Sequence, residues 1–555
     1  MKIIFIKDKD KDKDERSENR IELYPDTPWN SKGHPWDDFG YRTTFLSTLF
    51  FNGKEYELPN TKILIDNYTS THDYFKKIIK ESEKNYIKFP LDDNYVSLAT
   101  DIEFYEILNS VIENHENIKN ILNTLKDASY IKYNNLFPDL LFLIQSEGFK
   151  KSLLRDMTSK KALIEGWLVI ENIVEEKNEK FNISFSLSNY ENNHNVEINF
   201  KKSIFPHNIN VLIGSNGTGK SQTLSATINQ LLGLEKVDNS TISFNQIVTI
   251  AYSPFEDFLV SLEGKDINIK SVYKYFGFRN QEGEFNIKNP FIDSVKNIIS
   301  MVNEDFEKNF LKNRINKFNS FITVIGKAIS FDYIGFRISD ETANNYEDDA
   351  FFNNKITEDG YYIVVDDEEF HSDLESEILD IIEEEGIVFF KDDEKVFLSS
   401  GQQVFAQLIS SIVSSIRNDT LLLIDEPELY LHPNLEVELI TLLKELLFVY
   451  KSYAIIASHS SIIAREVAKD YITVLKRIEG KRINVSRPPF ETIGANLEKI
   501  NAYVFFGKDV DKSYTKWLQE LVNKEGSKEG VIKKYKKKLN EESLILIQGM
   551  IPDAD

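Results

Sequence analysis

At 555 residues the chain is long enough for two or three domains that each bury a core, and its 41% hydrophobic and 28% charged content is that of an ordinary globular protein. A net charge of −23 disfavours a surface broadly adapted to nucleic acid or anionic membrane, so any such contact has to be local. Cysteine is absent, which excludes disulfides, iron–sulfur clusters, cysteine–zinc sites and a two-cysteine zinc hook, and fits a reducing compartment.

Residues 1–6 read as a short strand, and residues 7–14 repeat Lys-Asp four times, an alternating tract expected at a solvated hairpin tip or loop. No run of 18 apolar residues occurs and charge follows directly on Ile6, so neither a membrane span nor a secretory signal is expected, and the cytoplasm is the expected location. Residues 21–64 alternate aromatic and β-branched positions with turns such as Asn52-Gly53, which predicts a β-rich unit. Trp29, Trp36 and Phe39 lie there beside His34, Asp37 and Asp38; an aromatic mini-core with polar edges is the simpler reading than a metal site. Residues 69–159 turn helical, with Tyr105, Ile107, Leu108, Val111 and Ile112 on one stripe and Ile118, Ile121, Leu122 and Leu125 on another. An α+β amino-terminal domain is therefore expected over 1–160. Trp167-Leu168-Val169-Ile170 and Phe181-Asn182-Ile183-Ser184-Phe185 then read as strands of an antiparallel β subdomain.

Gly214-Ser215-Asn216-Gly217-Thr218-Gly219-Lys220-Ser221 is a complete phosphate loop, preceded by an apolar strand at 209–213 and followed, from Gln222 on, by a helix. The glycines let backbone N–H groups turn in around a triphosphate, and the helix aims its positive dipole end at the same anion. Lys220, expected at a solvent-reachable loop–helix junction, suits the β/γ-phosphates of ATP, and the Ser221 hydroxyl suits Mg²⁺. The first half of the nucleotide domain spans 161–257 and ends on the strand 247–251, broken by Tyr252-Ser253-Pro254-Phe255.

Residues 258–395 form an insertion of mixed helix and strand, too short for a long coiled-coil arm. Within it 366–385 is acidic; His371, Asp373 and Glu375 are read as a solvated helix rather than a cation site. The second half of the domain spans 396–490. Ser399-Ser400-Gly401-Gln402 precedes a helix with apolar positions Phe405, Leu408, Ile409, Ile412, Val413 and Ile416. A buried-type strand at 421–424 ends in Asp425-Glu426-Pro427, and another at 453–457 ends in Ser458-His459-Ser460. Residues 491–555 read as a helical tail. Its dense basic cluster, Lys533-Lys534-Tyr535-Lys536-Lys537-Lys538, is a solvated helix face on the simpler reading and a phosphate-backbone or acidic-partner contact on the sharper one.

In this order the four segments resemble the ABC-type P-loop ATPase head, an α/β fold with a mixed sheet flanked by helices and an antiparallel β subdomain. The resemblance implies that Asp425 holds Mg²⁺ through its water shell, that Glu426 polarises the attacking water, and that His459 reports the γ-phosphate. It also implies that Ser399, Ser400, Gly401 and Gln402 cover the nucleotide of a second subunit in a head-to-tail homodimer. A glutamine usually follows the strand 247–251 in such heads; here Glu256 or Asp257 is the candidate substitute. The continuation Glu428-Leu429-Tyr430-Leu431-His432-Pro433 resembles soluble DNA-repair and anti-phage ATPases, overcoming-lysogenization-defect proteins and above all the Septu type (PtuA). Asp509-Val510-Asp511 lacks a following domain large enough for a Toprim nuclease. The Septu resemblance thus implies a separate HNH-type effector nuclease, with a retron reverse transcriptase and its DNA–RNA hybrid as further partners. Two other readings stay open: a nucleotide-gated scaffold with negligible turnover, and a repair ATPase that binds DNA directly.

Overall fold

The computed structural model describes residues 1–7, 19–26, 40–82, 84–155, 157–171, 180–186, 193–234, 244–254, 256, 258–260, 272–280, 282–307, 315–339, 354–357, 360–365, 382–478, 482–505 and 513–550. The Trp29–His34–Asp37 group, Asp257, His371 with Asp373 and Glu375, and Asp509 with Asp511 lie outside the described residues.

The amino-terminal part is a six-stranded sheet in the order Tyr86–Lys88, Lys2–Ile6, Arg20–Pro25, Thr44–Phe51, Lys54–Ile65, Tyr95–Ala99, covered by helices. Alternation decides its buried face: Phe5 and Phe45 meet Phe75 of the helix Thr71–Ser82 with ring centroids 4.7 and 5.2 Å apart. The helical stripes read from the sequence enter the same core through Tyr105, Leu108, Ile118, Ile121, Leu122 and Leu125.

Lys2–Ile6 and Arg20–Pro25 pair in parallel, so these two strands are not the arms of one hairpin, and residues 8–14 of the Lys-Asp tract lie outside the described residues. One local expectation fails here. Trp167 to Ile170 close the helix Met157–Ile170 rather than forming a strand. Ala162, Leu163, Trp167 and Ile170 share its buried face at helical spacing, and a four-residue apolar run cannot by itself distinguish the two states. The fold of the amino-terminal part therefore reaches Ile170, ten residues past the expected edge.

The part that carries the phosphate loop is built on a seven-stranded sheet, in the order Tyr273–Gly277, Gln246–Ala251, Thr420–Asp425, Tyr453–Ser458, Ile209–Gly214, Ile472–Ile478, Arg482–Ser486. All neighbours are parallel except the last pair. Helices cover both faces, so the central strands are apolar throughout: Leu421 to Ile424 are fully buried, each such side chain contributing about 1.5–3 kcal/mol. Beside this sheet the antiparallel pair Lys180–Ser186 and Asn193–Asn199 carries the second predicted strand, and its Asn182 carbonyl accepts from Gln230 of the phosphate-loop helix.

The insertion adds the helices Asn289–Glu307 and Lys317–Ile325, which pack on the helix Ser400–Ser415, and a five-stranded antiparallel sheet. Residues 382–385, the end of the acidic segment, belong to the strand Ile382–Lys391 rather than to a helix. The amino-terminal part docks at the entry of Thr420–Asp425, where the buried Lys161 ammonium pairs with Asp419 and the Asn418 amide donates to Glu106.

Ala495–Asp555 is a separate compact unit. Its helices Ser513–Glu525, Lys528–Tyr535 and Glu541–Gly549 close over Leu518, Val522, Val531 and Ile547. Among described helices, none is long and apolar enough to cross a membrane.

Candidate functional site

Three adjacent parallel strands end together, and their carboxyl ends carry the site, the usual place for ligands in such sheets. Ile209–Gly214 runs into the phosphate loop, where Gly217 and Gly219 take φ of 73° and 88°, a turn that L side chains resist. Thr218 Oγ1 donates to the Ser215 carbonyl at 2.8 Å and closes the loop on itself. Ser215, Asn216, Gly217 and Gln222 are exposed, and the helix Lys220–Leu231 begins directly behind them.

Lys220 departs from expectation: it is buried, only 4% exposed, rather than solvent-reachable. Its Nζ bonds the Gly214 carbonyl at 3.2 Å and lies 2.5 Å from His459 Nε2. Burial lowers its pKa, opposed by the charges of Glu426, Asp425 and Glu428. An ammonium held dry at a loop lined with N–H groups is a site prepared for an anion.

Asp425 ends the strand Thr420–Asp425, and its Oδ1 accepts from Ser221 Oγ at 3.1 Å. Burial pushes its carboxyl up to about 7, with Glu426 adding to the rise. A hydroxyl and a carboxylate side by side are hard oxygen donors that fit Mg²⁺, and a cation there would offset the burial of the carboxylate. Such an ion would neutralise phosphate charge during transfer.

Glu426 follows in the left-handed region at φ 46°, its N–H donating to the Ala457 carbonyl at 2.8 Å. Its Oε1 is 3.2 Å from His459 Nε2, and the His459 hydrogen bond holds its carboxyl below the ordinary range. The carboxylate is thus kept as a base beside the phosphate loop. Lys220, Ser221, Asp425, Glu426 and His459 are all brought together.

The Ser399–Gln402 segment is held elsewhere. Ser399 caps the helix Ser400–Ser415 in a capping box with Gln402, whose amide also donates to the Ala328 carbonyl at 2.8 Å; Ser399 and Ser400 are exposed. Glu256 is turned away into its own pocket, accepting from the Tyr275 hydroxyl, while its backbone carbonyl accepts from Arg279 at 2.7 Å. Burial pushes the Glu256 carboxyl up to about 7.

Two acids went unread in the sequence. Glu428 Oε1 accepts from Ser458 Oγ at 2.9 Å and from the His459 N–H, and Glu436 accepts from Ser460 Oγ. Only their closeness to the Asp-Glu-Pro segment hinted at them.

Residues 209–465 match the family model described as "AAA domain, putative AbiEii toxin, Type IV TA system". Across 544 residues the chain is 24% identical to Protein ea59 of Escherichia phage lambda, covering 94% of each. Solved structures similar to the chain include an ATP-binding cassette of an ABC transporter in its ADP conformation, 13% identical over 53% of this chain and 85% of that one, TM-score 0.23. A nucleotide-free ATP-binding cassette from an ABC transporter is 12% identical over 51% and 80%, TM-score 0.21. All five converging residues lie within the matched span.

Proposed function

We propose that the chain binds ATP with Mg²⁺, closes as a head-to-tail homodimer around two nucleotides, and hydrolyses them to ADP and phosphate. The observation that carries this is the meeting of Lys220, Ser221, Asp425, Glu426 and His459 at three neighbouring strand ends. Glu426 positions the attacking water and His459 faces the γ-phosphate. The exposed Ser399 and Ser400, at a helix amino terminus suited to an anion, complete the site of the second copy. Nucleotide-dependent closure supplies two distinguishable states, which is what a regulator needs.

The regulated partner is a separate HNH-type nuclease in an anti-phage system of the Septu kind, with a retron reverse transcriptase and its DNA–RNA hybrid in some assemblies. The continuation of residues 428–433 supports this, and so does a family description that names a toxin system. The likeness to a phage protein, 24% identical over 94% of each chain, supports a role in phage–host conflict. The decisive experiment is phosphate release by the purified chain with MgATP beside Lys220→Ala and Glu426→Gln. Phosphate release that neither substitution lowers would overturn the reading.

A second reading is a nucleotide-gated scaffold with negligible turnover. The engagement of Glu256 with Tyr275 favours it, because one of the two candidates to replace the usual glutamine is committed elsewhere. Absence of multiple-turnover phosphate release, with ATP binding intact, would select it.

A further inference from the structure

His459 lies in a short loop that two acids hold through two serine hydroxyls and one backbone N–H. Glu428 Oε1 takes both the Ser458 hydroxyl, at 2.9 Å, and the His459 N–H, and Glu436 takes the Ser460 hydroxyl. These bonds fix where the imidazole stands relative to Lys220 and Glu426. The other Glu428 oxygen, Oε2, is buried and receives no hydrogen bond among the described residues. Such an oxygen costs stability, so the carboxylate is poorly explained as a device for folding alone.

Glu428 also sits in the 3₁₀ turn Pro427–Tyr430, directly after Glu426. The far end of this turn meets the helix Ser400–Ser415: a Cβ placed on Gly401 would lie 2.5 Å from the Tyr430 carbonyl oxygen. Backbone touches backbone there, with no flexible side chain between to absorb a shift. One rigid turn therefore holds the switch loop through Glu428 at one end and leans on Gly401 at the other.

We propose that Glu428 is a positioning residue that sets His459 against the γ-phosphate and links the state of that loop to the Ser399–Gln402 turn of the same chain. Nucleotide bound in one site then adjusts the surface offered to the other copy. This rests on the ATPase reading above, and deepens it by naming the part that couples the two ends of the head.

The test uses the full chain. In Glu428→Ala, kcat for ATP should fall about 10- to 100-fold, as for other groups that orient a reacting residue, while the ATP Kd and the melting temperature stay near wild type. Glu428→Gln keeps an acceptor oxygen for Ser458 and His459 and should recover most of the loss. In the Glu426→Gln background, where ATP-bound dimers persist, adding Glu428→Ala should remove the dimer in sedimentation with MgATP. Wild-type kcat in Glu428→Ala, an equal loss in Glu428→Gln, or an undiminished dimer in the double variant overturns the proposal. If the wild type releases no phosphate, or Glu426→Gln alone forms no dimer, the underlying reading fails first and takes this one with it.

Discussion

Lys220 and His459, 239 positions apart, meet nitrogen to nitrogen at 2.5 Å, while Glu426 Oε1 stands 3.2 Å from the same imidazole Nε2. Nε2 can serve only one of them at a time, accepting from the ammonium when bare or donating to the carboxylate when protonated. An anion that takes over Lys220 would free Nε2 for Glu426, so on the proposed function nucleotide binding and that exchange are coupled.

Lys220→Ala should abolish measurable ATP binding in calorimetry. Lys220 is a buried cation beside Asp425, Glu426 and Glu428, so its removal relieves a desolvation penalty but also takes a counter-charge from those acids, and the melting temperature should stay near wild type. Unchanged ATP affinity would refute the assigned role.

Glu426→Gln preserves shape and loses the base. Single-turnover hydrolysis should slow by about 100-fold or more, the scale of general-base catalysis, with ATP affinity retained. Wild-type turnover would remove Glu426 from the mechanism.

Asp425→Asn should raise the Mg²⁺ concentration needed for half-maximal hydrolysis, and chelation by EDTA should stop the wild type altogether. An unaltered Mg²⁺ titration in the variant would separate Asp425 from the metal.

The buried pair Lys161–Asp419 joins the amino-terminal part to the root of the strand that carries Asp425. Asp419→Asn tolerates the positive φ of 57° but leaves the buried Lys161 ammonium with Glu165, at 3.5 Å, as its carboxylate partner, which should cost about 1–3 kcal/mol in urea unfolding. A double variant, Lys161→Met with Asp419→Asn, should regain much of it. Loss of less than about 1 kcal/mol in the single variant, the range of an exposed pair, would count against a structural role.

Burial pushes Glu106 up to about 7 from an unfolded value of 4.5, with the Asn418 amide opposing the rise. Below the unfolded value both states are protonated and nothing is lost. Between 4.5 and about 7 the unfolded chain ionises while the folded one keeps its proton, so stability falls as pH rises, and the loss is complete above that window. Glu106→Gln should flatten this part of the stability–pH curve and gain on the order of 1–3 kcal/mol at pH 8. An unchanged slope would mean that Glu106 does not titrate there.

What the sequence determined by itself was everything local. The phosphate loop, the Asp425-Glu426 pair and His459 each lie where a strand gives way to a loop or helix, and that change of period is written in a few adjacent residues. The stripes at Ile118, Ile121, Leu122 and Leu125 were legible for the same reason, since one helix face needs only its own spacing. Trp167 to Ile170 was misread because four apolar residues suit a strand or a helix equally, and only their packing on the amino-terminal core selects the helix. The parallel pairing of Lys2–Ile6 with Arg20–Pro25 was invisible, as pairing direction is a property of the sheet and not of either strand. The burial of Lys220, the diversion of Glu256 to Tyr275, and the grip of Glu428 and Glu436 on the loop at Ser458 to Ser460 came only with the tertiary structure. Each depends on partners 19 or more positions away, and hydrogen bonds across such separations exist only after the sheet has set which strand ends are neighbours.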